Sequence, residues 1–231
     1  MARLWWRVQA GDSVRHRQLG LAWDAFREAG QLARSGRPLP AARAMLLLRD
    51  NVRFRSRIER AYRKAIGQAR QEVLISNAYF LPGGRLRRAL VAAAQRGVKV
   101  TLLLQGRYEY FMQYHAARSV YQALLGAGVE IHEYATSFLH AKVAVVDGQW
   151  ATVGSSNLDP LSLLLAREAN VVVQDRAFAA TLRERLLAAI AGHGQRVEPE
   201  AHSRRPWRVR LLDRLAYGLM RLALLVTGHR Y

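Results

Sequence analysis

The chain has 231 residues, 36 Lys+Arg against 17 Asp+Glu, a formal charge of +19, no cysteine and 51% hydrophobic residues. That apolar content suffices for one α/β domain with a buried core, or for two small ones, and the lack of cysteine excludes disulfide scaffolds, thiolate zinc sites and cysteine nucleophiles. Basic residues outnumber acidic ones by 16 to 5 over residues 1–70, by 13 to 11 over 71–200 and by 7 to 1 over 201–231, so a nearly neutral core lies between two cationic ends suited to an anionic surface, phospholipid or nucleic acid. Residues 1–35 are basic and aromatic, with Leu19, Ala22, Trp23 and Phe26 at helical spacing, and the breaker run Ser35-Gly36-Arg37-Pro38-Leu39-Pro40 follows. A helix and a connector over residues 1–43 are expected, with the compact domain starting near Ala44. Ala44 to Leu48 reads as a short buried strand, and Ser56 as the cap of a helix through Ala69 with Ile58, Tyr62, Ala65 and Ile66 on one face.

From residue 73 strands and helices alternate: Val73–Phe80, Gly84–Arg96, Val98–Gln105, Phe111–Leu125 and Val129–Tyr134. Gly97 and Gly128 stand just after the two helices, where a glycine often closes a helix. The alternation predicts a largely parallel sheet covered on both faces. The pattern then changes, because Leu139–Val146 and Trp150–Gly154 flank Asp147-Gly148-Gln149, a hairpin signal. A further strand over Arg167–Asp175 and a helix over Phe178–Ala191 complete a mixed sheet in an α/β domain spanning residues 44–200, with residues 192–206 as a polar boundary. In the last segment, 201–231, Trp207, Leu211, Leu215, Leu219 and Leu222 recur at helical spacing among arginines, which predicts a basic amphipathic helix for a membrane surface. The same stripe would also serve to pack on the domain or on a missing half. It is too interrupted, at Asp213, Arg214 and Arg221, to span a bilayer, and Arg3, Arg7, Arg15 and Arg17 break any signal-peptide core.

Within the hairpin, His140 and Lys142 stand two apart, which in a strand aims both at one point. A lone histidine on a strand is usually structural. An imidazole beside an ammonium nevertheless suits phosphoryl chemistry, the neutral ring attacking phosphorus while the cation steadies the non-bridging oxygens. Ser155 and Asn157, opening the turn after the hairpin, are candidate donors to the same oxygens.

The full arrangement, His140-x-Lys142-x4-Asp147-x6-Gly154-Ser155-x-Asn157, resembles the HKD signature of the phospholipase D superfamily. Trp150 to Ser162, Glu168-Ala169-Asn170, Arg49-Asp50-Asn51 and Asn77-Ala78-Tyr79-Phe80-x-Pro82-Gly83 are similar to the bacterial cardiolipin synthase branch, type B in particular, over its C-terminal half. The resemblance implies a phospholipase D-like domain and a phosphatidyl group carried through a phosphohistidine to a lipid alcohol. It makes His140 the nucleophile or the leaving-group acid, and Lys142 and Asn157 phosphate binders, with Ser155 a further donor. Glu168 would hold the imidazole in one tautomer. Asp147 is either catalytic or simply builds the turn beside Gly148. The resemblance calls for no metal or other cofactor, and His16, His115, His132, His193, His202 and His229 read as bystanders.

Superfamily members build one site from two such motifs, and this sequence has one. Three accounts stay open: a homodimer, pairing with a separate N-terminal half, or an inactive fragment. The expected partners are anionic phospholipids, phosphatidylglycerol and cardiolipin among them, at the cytoplasmic side of a bacterial inner membrane, rather than nucleic acid. A metal-independent nuclease working as a homodimer is the competing reading, since the same motif and charge serve phosphodiesters of either kind.

Overall fold

The computed structural model describes residues 43–49, 54, 56–159 and 167–226. The helix and connector expected over residues 1–43 lie, but for Arg43, outside them. In chain order the elements are β1 (Arg43–Arg49), α1 (Arg57–Gln68), β2 (Glu72–Asn77), α2 (Gly84–Gln95), β3 (Lys99–Gln105), α3 (Phe111–Leu125) and β4 (Glu130–Tyr134). There follow β5 (Lys142–Val146), β6 (Trp150–Gly154), β7 (Glu168–Gln174), α4 (Arg176–His193), β8 (Gly194–Arg196), α5 (Pro199–Ser203) and α6 (Trp207–Val226).

The eight strands make one mixed sheet in the order β1-β7-β6-β5-β2-β3-β4-β8. Strands β2, β3 and β4 run parallel, joined by the crossover helices α2 and α3, and every other pairing is antiparallel. Continuous apolar runs such as Val73-Leu74-Ile75 and Leu102-Leu103-Leu104 are buried on both sides, which requires cover on each face of the sheet. Helices α1, α2 and α3 supply one cover, with Ile66, Leu90, Val120 and Leu124 meeting Ile75, Val100, Leu102 and Ala144. Helix α4 supplies the other, placing Ala179 and Leu186 on Leu74, Val145 and Ala151. The fold is therefore the α/β arrangement expected, a mixed sheet with helices on both faces.

Local chemistry explains where the boundaries differ from expectation. Helix α4 begins two residues earlier than Phe178 because Asp175 caps it, its carboxylate accepting from the Phe178 amide at 2.7 Å. Ser56 stands at the N-cap of α1 but its side chain makes no capping bond. The polar stretch 192–206 is not merely a boundary: it adds β8 to the sheet edge beside β4 and then forms the short α5. The strand expected from Leu139 starts at Lys142, since the Leu139 amide is taken by the Gln105 side chain at 3.0 Å instead of a neighbouring strand.

Helix α6 is fastened to the domain by polar groups as well as by Ala216 and Met220. Asp213 is 1% exposed; its carboxylate meets His115 Nδ1 at 2.7 Å and the Arg205 guanidinium at 3.0 Å. Arg205 also reaches His202 Nε2 at 2.8 Å, so α3, α5 and α6 share one network. Burial, reinforced by the Arg205 charge, pushes the His202 imidazole down to about 4.

Two outcomes follow from this network. Asp213→Ala strips the half-buried Arg205 guanidinium and His115 of their shared partner and is expected to cost about 2–3 kcal/mol, read as a lower urea midpoint with α6 amides losing exchange protection first. Between about pH 6.5 and pH 4 the unfolded chain binds a proton at His202 that the folded chain refuses, so stability is complete above that window and falls as pH drops through it. The loss at pH 5 is on the order of 1–2 kcal/mol, and His202→Gln should remove this part of the pH dependence in denaturation series.

Candidate active site

Three loops meet where β2 ends and β5 begins. The Ala78 amide donates to the Ala141 carbonyl at 2.9 Å, prolonging the β2–β5 pairing one step beyond the strand. The segment after β6 lies along the segment after β2, with Leu81 N donating to Leu158 O at 2.8 Å and Phe80 and Leu158 forming a parallel bridge. Two asparagines stitch these backbones together. Asn77 Oδ1 accepts from Leu158 N at 3.1 Å, and Asn157 Oδ1 accepts from Tyr79 N at 3.4 Å.

His140 sits in the loop entering β5 and is exposed, whereas Lys142 is 6% exposed. They do not simply project side by side from a strand. The lysine folds back so that its Nζ donates to the His140 carbonyl at 3.2 Å, bracing the backbone that carries the imidazole. Burial lowers the affinity of this ammonium for its proton, and Glu168, Asp159 and Glu109 act against that effect through their negative charge. The net result is a lysine below its ordinary range, still favoured as a cation by three carboxylates around it.

Glu168 opens β7, nearly buried, opposite Arg49 of β1 in register. Its Oε2 accepts from the Ser155 hydroxyl, and Ser155 Oγ in turn accepts from Ala169 N at 3.1 Å. Ser155 thus spends its hydroxyl proton on Glu168, which makes it a positioner of that carboxylate. The next residue of the turn is held by Asn170, whose Oδ1 accepts from Ser156 N at 3.3 Å while its Nδ2 donates to Thr152 Oγ1 at 3.2 Å.

Asp147 is not brought to this point. It lies beyond the other end of β5, about 16 Å along the strand from Lys142, where its carboxylate accepts from the amides of Arg70, Gln71 and Glu72, each at 2.9 Å. Partial burial opposes its ionisation, yet the three amides hold it below the usual carboxylate range. Both Asp147 and Gly148 adopt positive φ, 50° and 59°, as the tight hairpin turn demands. Of the two roles open to it from the sequence, the geometry gives Asp147 the turn.

Residues outside the predicted set complete the site. Asp159, Asn77, Asn170 and Arg49 all fall inside the runs that carry the resemblance, so their signal was present. Glu109 has no such signal: it arrives from the β3–α3 loop, where its Oε2 accepts from the Tyr79 hydroxyl at 2.7 Å. Among the described residues no group of three or more His, Asp or Glu side chains is arranged to hold a metal ion.

A family model described as "Cardiolipin synthase, PLD-like domain" matches residues 62–189. The chain belongs to this family. It is 42% identical over 220 residues to cardiolipin synthase B of Escherichia coli (strain K12), a match that takes in 95% of this chain and 48% of the relative. The chain therefore spans about half the length of the curated relatives it matches. Among solved structures, Nuc of Salmonella typhimurium, a phospholipase D family member, shares the fold with a TM-score of 0.57 at 20% identity, covering 68% of this chain and 99% of that one. The phosphatidylserine synthase of Haemophilus influenzae does so with a TM-score of 0.63 at 14% identity, covering 80% of this chain and 48% of that one.

Gly154 is the tightest point of the site. A β-carbon there would drive into the Asn170 amide and the Ala169 carbonyl, so even alanine must displace the residue that holds Ser156. Gly154→Ala is expected to destabilise by about 2–3 kcal/mol, checked by urea denaturation.

Proposed function

We propose that the chain is one half of a phosphatidyltransferase site of the cardiolipin synthase kind, and that it works when a second domain bearing the same motif faces it. The observation that carries this reading is the buried Lys142 ammonium braced on the His140 carbonyl with Glu168 alongside. It is a fixed cation on the backbone of the residue that carries an exposed imidazole, and a cation with an imidazole is what a phosphodiester needs.

In the reaction that fits, an imidazole nitrogen of His140 forms a bond to phosphorus as the bond to the leaving alcohol breaks. The alcohol oxygen takes its proton from the histidine of the facing domain. The acceptor hydroxyl then gives its proton to that second histidine while its oxygen displaces His140. With phosphatidylglycerol as donor and acceptor the products are glycerol and cardiolipin. Lys142 and Asn157 would bind the phosphate oxygens, and Glu168, oriented by Ser155, would keep the imidazole in its reactive tautomer.

The facing domain has a natural seat. Leu46, Leu48, Val153 and Val171 are exposed and share one face of β1, β7 and β6 by register, just beyond the reach of α4 and next to Ser155. A second domain of this kind, from another copy or from a separate half, would cover that face and bring its histidine to His140.

His140→Ala should abolish turnover of phosphatidylglycerol, and Lys142→Arg should lower it about 100-fold, since a guanidinium cannot replace a compact ammonium in a buried slot. Because burial lowers Lys142, activity should fade on the alkaline side before an ordinary lysine would titrate. The deciding measurement is molar mass in mild detergent with lipid turnover assayed on the same fraction. An active dimer assigns the second histidine to another copy. A monomer that gains activity only with a motif-bearing N-terminal half assigns it there. Turnover of DNA but not of lipid replaces this reading with the nuclease.

A further inference from the structure

The amphipathic stripe of α6 does not pack on the domain. The helix buries Asp213, Ala216 and Met220, and at about 100° per residue the opposite side carries Trp207, Leu211, Leu215, Leu219 and Leu222. These five are exposed, from 45% at Leu211 to 67% at Trp207. They form an apolar strip about 22 Å long and on the order of several hundred Å² in area, the size at which an apolar patch on a soluble protein is often functional. Arg210, Arg214 and Arg221 line one flank, and Arg208 lies at the start of the strip over the Trp207 ring. The acid within this helix, Asp213, is buried in its network, so no exposed carboxylate of α6 offsets the arginines.

Helix α6 packs on α3, and its Met220 lines one small cavity with Tyr79, Phe80, Leu81 and Asp159, residues of the loops that build the candidate site. Helix α3 begins with Phe111, whose ring packs on His115, the partner of Asp213. Beside it the β3–α3 loop exposes Tyr108 and Tyr110, Tyr110 packs edge-on to Tyr79, and Arg107 lies over the ring of Phe138, two residues before His140. Aromatic rings with polar tips suit a headgroup boundary, being apolar in body and wet at one end.

We infer that α6 is a docking helix which lies on a bilayer containing anionic phospholipid, its five apolar side chains in the acyl boundary and its arginines on headgroup phosphates. Charge selects this occupant over a second copy: pairing two such stripes would set arginine flank against arginine flank, whereas an anionic surface neutralises them. The inference deepens the proposed lipid function, but the binding itself is measured without turnover.

The test is co-sedimentation of the full chain with vesicles of phosphatidylcholine alone and of phosphatidylcholine containing phosphatidylglycerol, using the His140→Ala variant so that no lipid is consumed. Binding should require phosphatidylglycerol and weaken with salt. Arg210→Gln/Arg214→Gln/Arg221→Gln should weaken it about 100-fold. Leu211→Gln/Leu215→Gln/Leu219→Gln, at exposed positions that leave the fold intact by circular dichroism, should lower it at least tenfold. Unchanged vesicle binding by the leucine variant overturns the inference. So does a drop in molar mass by that variant with vesicle binding retained, which would give the stripe to a second copy. Docking and the phosphatidyl reading fail separately: docking with no turnover of detergent-dispersed phosphatidylglycerol by the unmutated chain, alone or with a motif-bearing N-terminal half, sinks only the latter, and turnover without docking sinks only the former.

Discussion

An ammonium taken out of water must be repaid by nearby acceptors and negative charge, or it gives up its proton. Lys142 is in that position, and much of the architecture at one end of the sheet answers to it. The His140 carbonyl receives its Nζ, while Glu168 from β7, Asp159 from the turn after β6 and Glu109 from the β3–α3 loop supply the charge. These groups come from separate stretches of chain, so the lysine can be buried only when the strands are in register and the loops have closed. The most demanding electrostatic element of the site is thereby tied to completion of the fold.

The loops are held by asparagines as well as by the apolar packing of Phe80, Leu81 and Leu158. Asn77, Asn157 and Asn170 each present an amide oxygen to a backbone N–H of a neighbouring segment, and Gly154 leaves the space that Asn170 fills. A side-chain amide can serve irregular backbone where no strand partner exists, which meets the rule that buried N–H groups be paired. The outcome is a rigid cradle made from loops, set on strands whose own ladder is complete.

Much of this was legible in the sequence, and what escaped did so for physical reasons. Alternating apolar runs and helical stripes located most elements to within a residue or two, because periodicity reports burial. β8 was missed since three residues, Gly194 to Arg196, carry no period; they become a strand only because β4 offers an edge. The motif spacing led to His140, Lys142, Ser155, Asn157 and Glu168, which the fold brings to one end of the sheet. It did not foresee that Ser155 serves Glu168, or that Glu109 would arrive from a loop remote in sequence, for such contacts are products of tertiary closure. The apolar stripe of α6 was visible, but which side of the helix the domain claims was decided by Asp213, a charged residue whose burial no hydropathy pattern reveals.

The position of Asp147 changes what the motif's spacing means. Lys142 and Asp147 bracket β5, one at each end, so the fixed interval between them is the length of a strand. Because side chains alternate from face to face, one residue more or less in that interval would turn Lys142 to the opposite side while the amides of Arg70 to Glu72 still held Asp147 in place. The signature is thus a gauge of strand parity, in which the far clip sets the phase and the near lysine shows whether it is right.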